Sequence, residues 1–405
     1  MSSAFMKKVT YNPRFDILAA KSSLCEVQIN ASKSLHVDFR FVPPCFSADP
    51  AIGVLDAGVQ KLAAKVAGNE SMWVAKKDYL AMGDGIFFLS VPELAEIRSL
   101  EVPLIQRALM EVPVFHERKV EIRNFLAVTS MDPPRIYACR NGIYKTTGHP
   151  LVPQEVITSL PILNRSATLV ANVKTPGMKR YLGNLNNLKR EFLAQGLSTF
   201  EVETQIMEKI TTAFLAIANH TSCQNADQPY KCEGHVAFGI TDSLVDMATK
   251  EPYLLELMVA QSDWVFRGQF YGHPDADKVA RAALQPLTRI ALSSLRPEME
   301  DALSRIRWPK EQLSLAATKV LEDERAHPPL KAMLLEAEAA EASQCSCIVC
   351  QDPDRFVKFF PRGAASESFG HPWLAYYELL HLSAASSVRG PGTITSKRPE
   401  LLQSS

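Results

Sequence analysis

Two short segments concentrate the metal-ligating side chains of this 405-residue chain. In the first, His220-Thr221-Ser222-Cys223 is followed by Cys232-Glu233-Gly234-His235, with Asn225, Asp227 and Pro229 in the loop between them. Zinc accepts two thiolates and two imidazoles in a tetrahedron, and two residues between ligands let one turn present both side chains. In the second segment, Cys345-Ser346-Cys347-Ile348-Val349-Cys350, three thiols fall within one short stretch that is only partly apolar. Core packing does not explain that density, and His327, His371 and His381 are the nearest histidines for a fourth ligand. A single site shared by Cys223, Cys232 and two of the later thiolates is also consistent with the spacing. In each arrangement protein groups fill the shell, so the expected ion is a structural Zn2+ rather than a catalytic one. The plainer alternatives are an irregular connection for the first segment and reduced cysteines for the second.

Other motifs point less sharply. Gly83-Asp84-Gly85 ahead of Ile86-Phe87-Phe88-Leu89 lacks the third glycine and the helix of a dinucleotide loop, so a tight turn into a strand is expected. Glu117-Arg118-Lys119 has residue types found in metal-dependent nuclease sites but no upstream Asp partner, and reads as a charged turn between strands. Lys179, Arg180, Lys189 and Arg190 accompany Tyr181 and Phe192, a combination suited to a phosphate backbone and base stacking. It equally describes the wet face of an amphipathic helix. There is no nucleophile-elbow serine, zinc-protease helix motif or Gly-Lys-Ser/Thr phosphate loop, so no catalytic or cofactor-binding residue is assigned.

Three fragments resemble, in order, those of SET-domain lysine methyltransferases. Gly83-Asp84-Gly85 resembles the early Gly-x-Gly that contacts the methyl donor, Asn219-His220 the Asn-His motif, and Cys345, Cys347 and Cys350 the post-SET zinc cysteines. The resemblance implies methyl transfer to a protein lysine. The chain departs from the pattern in having no Gly-Glu-Glu segment leading to a tyrosine between Cys232 and Cys345, and it does not rank Tyr230, Tyr253 or Tyr271 as that residue.

The elements that must position these residues divide into two halves. Residues 35 to 42 alternate Leu35, Val37, Phe39 and Phe41 with His36, Asp38 and Arg40, the period of a half-buried strand. Residues 49 to 66 space their apolar groups helically, and strands are expected at 72 to 75, 85 to 91, 120 to 128 and 167 to 174. Asn141-Gly142 between Ile136-Tyr137-Ala138-Cys139 and Ile143-Tyr144-Lys145-Thr146 predicts a type I′ hairpin. After Thr175-Pro176-Gly177 the spacing turns helical, over 179 to 195, 199 to 219, 244 to 266, 275 to 295, 297 to 307, 310 to 325, 329 to 342 and 371 to 384. The expected fold is therefore α+β, a mixed N-terminal half with antiparallel strands and a hairpin, then a predominantly helical C-terminal half. The expected domains are 1–176, 177–384 with the zinc sites, and a polar tail over 385–405.

Composition bounds the function. Lys plus Arg equals Asp plus Glu at 44 each, so no global field draws the chain to nucleic acid or an anionic membrane. Lys7 and Lys8 precede Tyr11, Asn12, Pro13, Arg14 and Asp16 rather than an apolar run, and no stretch has the ~18 apolar residues of a membrane helix. The expected location is cytoplasmic or nuclear, not secreted, with Cys25, Cys45 and Cys139 as buried thiols. These features predict a zinc-stabilised macromolecule-binding protein whose partner is a protein or a second copy, with nucleic acid as another class of partner. The alternatives are an enzyme, in SET-like form, and a structural assembly protein.

Overall fold

The computed structural model describes residues 20–36, 38–47, 72–78, 84–94, 102–131, 134–140, 142–171, 181–221, 236–260, 274–293, 313–322, 327–343, 345–348 and 379–380. In chain order they form α1 (Lys21–Leu35), β1 (Cys45–Ser47), β2 (Met72–Lys76), β3 (Ile86–Ser90), β4 (Leu104–Arg107) and β5 (Val114–Phe115). Next come β6 (Arg118–Met131), β7 (Pro134–Cys139), β8 (Ile143–Thr146), α2 (Gln154–Ser159), α3 (Ile162–Leu169) and β9 (Leu182–Asn184). The later elements are α4 (Lys189–Ala194), α5 (Thr199–Thr221), β10 (Ala237–Val245), β11 (Pro252–Ala260), α6 (Pro274–Ser293), α7 (Leu315–Glu322), α8 (His327–Ala342) and β12 (Cys345–Cys347).

Two antiparallel sheets organise these elements. The smaller has the order β1-β4-β2-β3, and the larger runs β11-β10-β6-β7-β12 with β5 and β8 also on β6 and β9 on β8. The fourteen-residue β6 is the spine. Along one edge it pairs with β10, from Val128↔Ala237 to Ile122↔Ser243. Along the other, its first half pairs with β8 and its second half with β7. The larger sheet therefore takes strands from both sides of residue 176.

Strand alternation gives β6 two buried faces. Val120, Ile122, Leu126 and Val128 pack with Leu24 and Val27 of α1 and Ile206, Ile210 and Phe214 of α5. Phe125 and Ala127 pack on the other face with Phe238, Ile240 and the apolar stripe Ala280, Leu284, Leu287 and Ile290 of α6. Charged side chains occupy the first positions of that second face, as described below. On the small sheet, Arg165 of α3 is 2% exposed, forks onto both oxygens of Glu93 at 2.6 and 2.8 Å, and donates to the carbonyls of Phe88, Leu160 and Thr158. That guanidinium holds the Glu93 carboxyl at about 2, below its ordinary range.

The expected α+β class with antiparallel sheets matches the structure, while several expected elements do not. Residues 244–260, expected as helix, are the end of β10 and all of β11. Buried residues recur on both faces of β11, at Leu254, Leu257 and Val259, and the register shifts at Asp242/Ser243, so the period-two signal is lost. Residues 38–42 form no strand: the backbone N–H groups of Phe41 and Val42 both donate to Gln28 Oε1 at 2.8 Å, and the Phe41 carbonyl accepts from Leu254. Residues 162–169 are helical rather than extended. The expectations at 49–66 and 297–307, and for the tail, lie outside the described residues.

The Asn141-Gly142 hairpin is also corrected. β7 and β8 do not pair with each other but lie end to end along β6. Gly142 is required by close approach, since a Cβ there would stand 2.8 Å from Asn124 Nδ2. Its N–H donates to Glu203 Oε1 of α5 at 3.0 Å. The two-residue hairpin that does form joins β5 to β6 through His116 and Glu117, with φ of 49° and 60°.

Burial raises the Glu203 carboxyl to about 7, while the Gly142 N–H and Arg140 pull the other way. Its folded value lies above the unfolded one, so its contribution to stability is complete below the unfolded pKa and is lost as pH rises through about 7. Glu203→Gln is therefore expected to be more stable than the parent at about pH 8, with the difference vanishing at about pH 4. Urea unfolding at the two pH values checks this.

Candidate functional site: a buried charged face between the two sheets

The first residues of β6 alternate, so Lys119, Glu121 and Arg123 share one face while Val120 and Ile122 enter the opposite core. Cross-strand register then assembles the rest. Lys145 of β8 stands directly opposite Glu121, and Asp242 of β10 directly opposite Arg123. Glu256 of β11 is opposite Asp242, so one row of charged groups crosses four neighbouring strands. Lys119, Glu121, Lys145 and Asp242 are all buried.

The contacts are short and specific. Arg123 donates through Nε and Nη2 to the two Asp242 oxygens, each at 2.6 Å, a bidentate fork. Lys145 Nζ bridges Asp242 Oδ2 at 2.7 Å and Glu121 Oε1. Burial pushes the Asp242 carboxyl up, but Arg123 and Lys145 more than offset it and hold it far below the ordinary range. Glu121 moves the other way, since burial and the neighbouring Asp242 charge outweigh Lys145.

The small sheet completes the site. Lys76 and Gln106 lie on its face that also carries Val74, are 6% and 3% exposed, and are joined by a 2.5 Å hydrogen bond from Lys76 Nζ to Gln106 Oε1. The charges that act on Lys76 include Glu256, Lys119 and Glu121, so this face looks across to the charged row of the large sheet. Burial lowers Lys76 to about 8, and only part of that is offset by Glu256. Burial likewise lowers Lys119 to about 8, against the attraction of Glu121. Four cations, Lys76, Lys119, Arg123 and Lys145, thus meet three carboxylates, Glu121, Asp242 and Glu256.

Two of those cations, Arg123 and Lys145, are committed to protein carboxylates. Lys76 and Lys119 are buried ammoniums without full compensation, a costly state unless a ligand anion completes it. The arrangement suits a group carrying several negative charges, such as a polyphosphate entering between the sheets. It suits a divalent cation poorly: among the described residues no group of three or more His, Cys, Asp or Glu side chains comes together to hold a metal.

Of the residues expected to bind zinc, the two described cysteines are disulfide-bonded. Cys345 is disulfide-bonded to Cys139, its direct cross-strand partner with Cα atoms 4.2 Å apart, and Cys347 is also disulfide-bonded. Cys25 and Cys45, expected as thiols, are paired as well. A sulfur in a disulfide is not a thiolate ligand. His220 lies in the last turn of α5, while Cys223, Cys232, His235 and Cys350 lie outside the described residues. Of the resembling SET fragments, Gly85 is a positive-φ turn residue ahead of β3 and Asn219 is in α5 with His220.

Over residues 6–259 the chain matches the tubulin-tyrosine ligase family, and it belongs to that family. The match takes in both sheets' charged residues, from Lys76 to Glu256. Tubulin polyglutamylase ttll-5 of Caenorhabditis elegans is 26% identical over 271 residues, which is 62% of this chain and 36% of that protein. The chain thus spans about a third of the length of the relative it matches. Among solved structures, the C-terminal domain from K. lactis Pby1, an ATP-grasp enzyme interacting with the mRNA decapping enzyme Dcp2, is similar with TM-score 0.45 and 16% identity, over 70% of this chain and 75% of that one.

Membership corrects the functional expectation. A zinc-stabilised binding protein without a catalytic constellation is replaced by a family of ligases that use ATP with Mg2+ or Mn2+ rather than zinc. Of the alternatives, family membership favours the enzyme over the structural assembly protein. Lys119 reads in the sequence as part of a charged turn; the missed signal is Lys119, Glu121 and Arg123 at alternate positions, interleaved with Val120 and Ile122.

Proposed function

We propose that the chain is an ATP-dependent ligase that joins the amine of an amino acid to a carboxylate of a protein, with tubulin as the first acceptor to test. Forming an amide from a carboxylate and an amine in water is uphill, so it must be coupled to nucleotide cleavage. Transfer of the terminal phosphoryl group to the carboxylate gives its oxygen a good leaving group; the amine then displaces phosphate, leaving amide, ADP and phosphate in balance. The chemistry requires preorganised positive charge along the phosphates, held away from water.

The observation that carries this proposal is the pair Lys76 and Lys119, buried on facing sheets and incompletely neutralised. In this arrangement they hold the phosphates, while Arg123 and Lys145, fixed by Asp242 and Glu121, form the rigid floor. Family membership and the polyglutamylase relative support the acceptor and the amino-acid substrate.

The test is incorporation of labelled glutamate or tyrosine into purified tubulin with the full chain, ATP and Mg2+. Label that requires ATP and falls at least about 100-fold in Lys119→Met supports the proposal. No ATP-dependent label with either amino acid, from a folded protein, would overturn it.

A further inference from the structure

The carboxylates that face the site are matched by protein cations, and the cations are in excess. Asp242 is chelated by Arg123 and bridged by Lys145, which also pairs with Glu121. Glu256 is half-buried beside Asp242, and the next residue of β11 on its face is Met258, opposite Ile240 and packed on the apolar cluster under α6. Mg2+ and Mn2+ require several hard oxygen ligands in near-octahedral array. Here a carboxylate already forked by a guanidinium, a neighbouring thioether and surrounding ammoniums oppose that.

We infer that this chain binds the nucleotide as its metal-free polyphosphate, with Lys76 and Lys119 taking the charge-neutralising role of the divalent cation. The inference rests on the nucleotide proposal above and concerns binding, not turnover. Two consequences follow from charge alone. Magnesium lowers the negative charge of ATP and occupies its phosphate oxygens, so it weakens binding instead of being required for it. Glu256 repels the incoming phosphates, so Glu256→Gln tightens binding, whereas loss of a metal ligand would weaken it.

Isothermal titration of the full chain with ATP, in excess EDTA and in excess MgCl2, separates these cases. The expected result is binding in EDTA that is at least as tight as in magnesium, with affinity several-fold higher in Glu256→Gln under both conditions. Binding seen only with magnesium, and lost in Glu256→Gln, would overturn the metal-free inference while leaving the nucleotide proposal standing. No heat under either condition, from protein whose thermal unfolding shows it folded, would sink the nucleotide proposal and this inference together.

Discussion

Lys145→Met is expected to lower the stability of the chain by about 3–5 kcal/mol, the typical cost of removing one partner of a buried ion pair. Lys145 Nζ contacts both Glu121 and Asp242, carboxylates on the neighbouring strands β6 and β10. Without its ammonium, Glu121 is left buried beside another anion and can only be protonated or drive local opening. Asp242 keeps the Arg123 fork, so the loss is partial. The double variant Glu121→Gln with Lys145→Met removes the stranded charge as well and recovers part of the loss. Urea unfolding of the single and double variants measures both effects. A double variant whose destabilisation equals the sum of the Glu121→Gln and Lys145→Met single variants would mean that Glu121 and Lys145 are not coupled.

Lys119→Met and Lys76→Met are expected to behave in the opposite sense. Each removes a buried ammonium whose charged form is penalised, so the free protein unfolds at higher temperature. Each also removes a charge-assisted contact to phosphate, worth about 1.5–3 kcal/mol, so nucleotide affinity falls roughly 10- to 100-fold. Gain of stability with loss of ligand is the signature of a binding group held in a costly state, and a merely structural lysine would lose stability when removed. The same depressed values set a pH dependence. Both ammoniums titrate near 8 in the free protein and are held charged by bound phosphate, so affinity falls as pH rises through about 8 and binding takes up protons above it. Titrations in buffers of different ionisation enthalpy read that uptake directly.

The parts of the fold that were legible in sequence are those with a local signal. β2, β3 and β6 are legible as short strand-like stretches, and α5 as a long helical repeat whose start the structure caps, Ser198 Oγ accepting from the Glu201 N–H. β11 and the end of β10 read as helix in the sequence because residues buried on both faces carry no clean alternation, and the register shift at Asp242/Ser243 spaces Leu254 and Leu257 as a helix would. The charged site was not legible because Lys76, Lys119, Lys145 and Asp242 come from four strands and meet only through register. The cysteine expectation failed for the same reason. The spacing of Cys345, Cys347 and Cys350 is local, whereas the partner of Cys345 is Cys139, 206 residues away and adjacent only because β12 closes the edge of β7. Lys119, Glu121 and Arg123, alternating with Val120 and Ile122, were the one sequence trace of the site, since buried charges on a strand must find partners on its neighbours.

Labelling with an acyl-phosphate derivative of ATP, followed by peptide mass spectrometry, tests the location of the nucleotide most directly. The reagent acylates lysine amines that lie against the phosphates, and both Lys76 and Lys119 are predicted to be modified, with the labelling suppressed by excess ATP. Acylation confined to exposed lysines such as Lys189 and Lys250, unaffected by ATP, would contradict a nucleotide site between the two sheets.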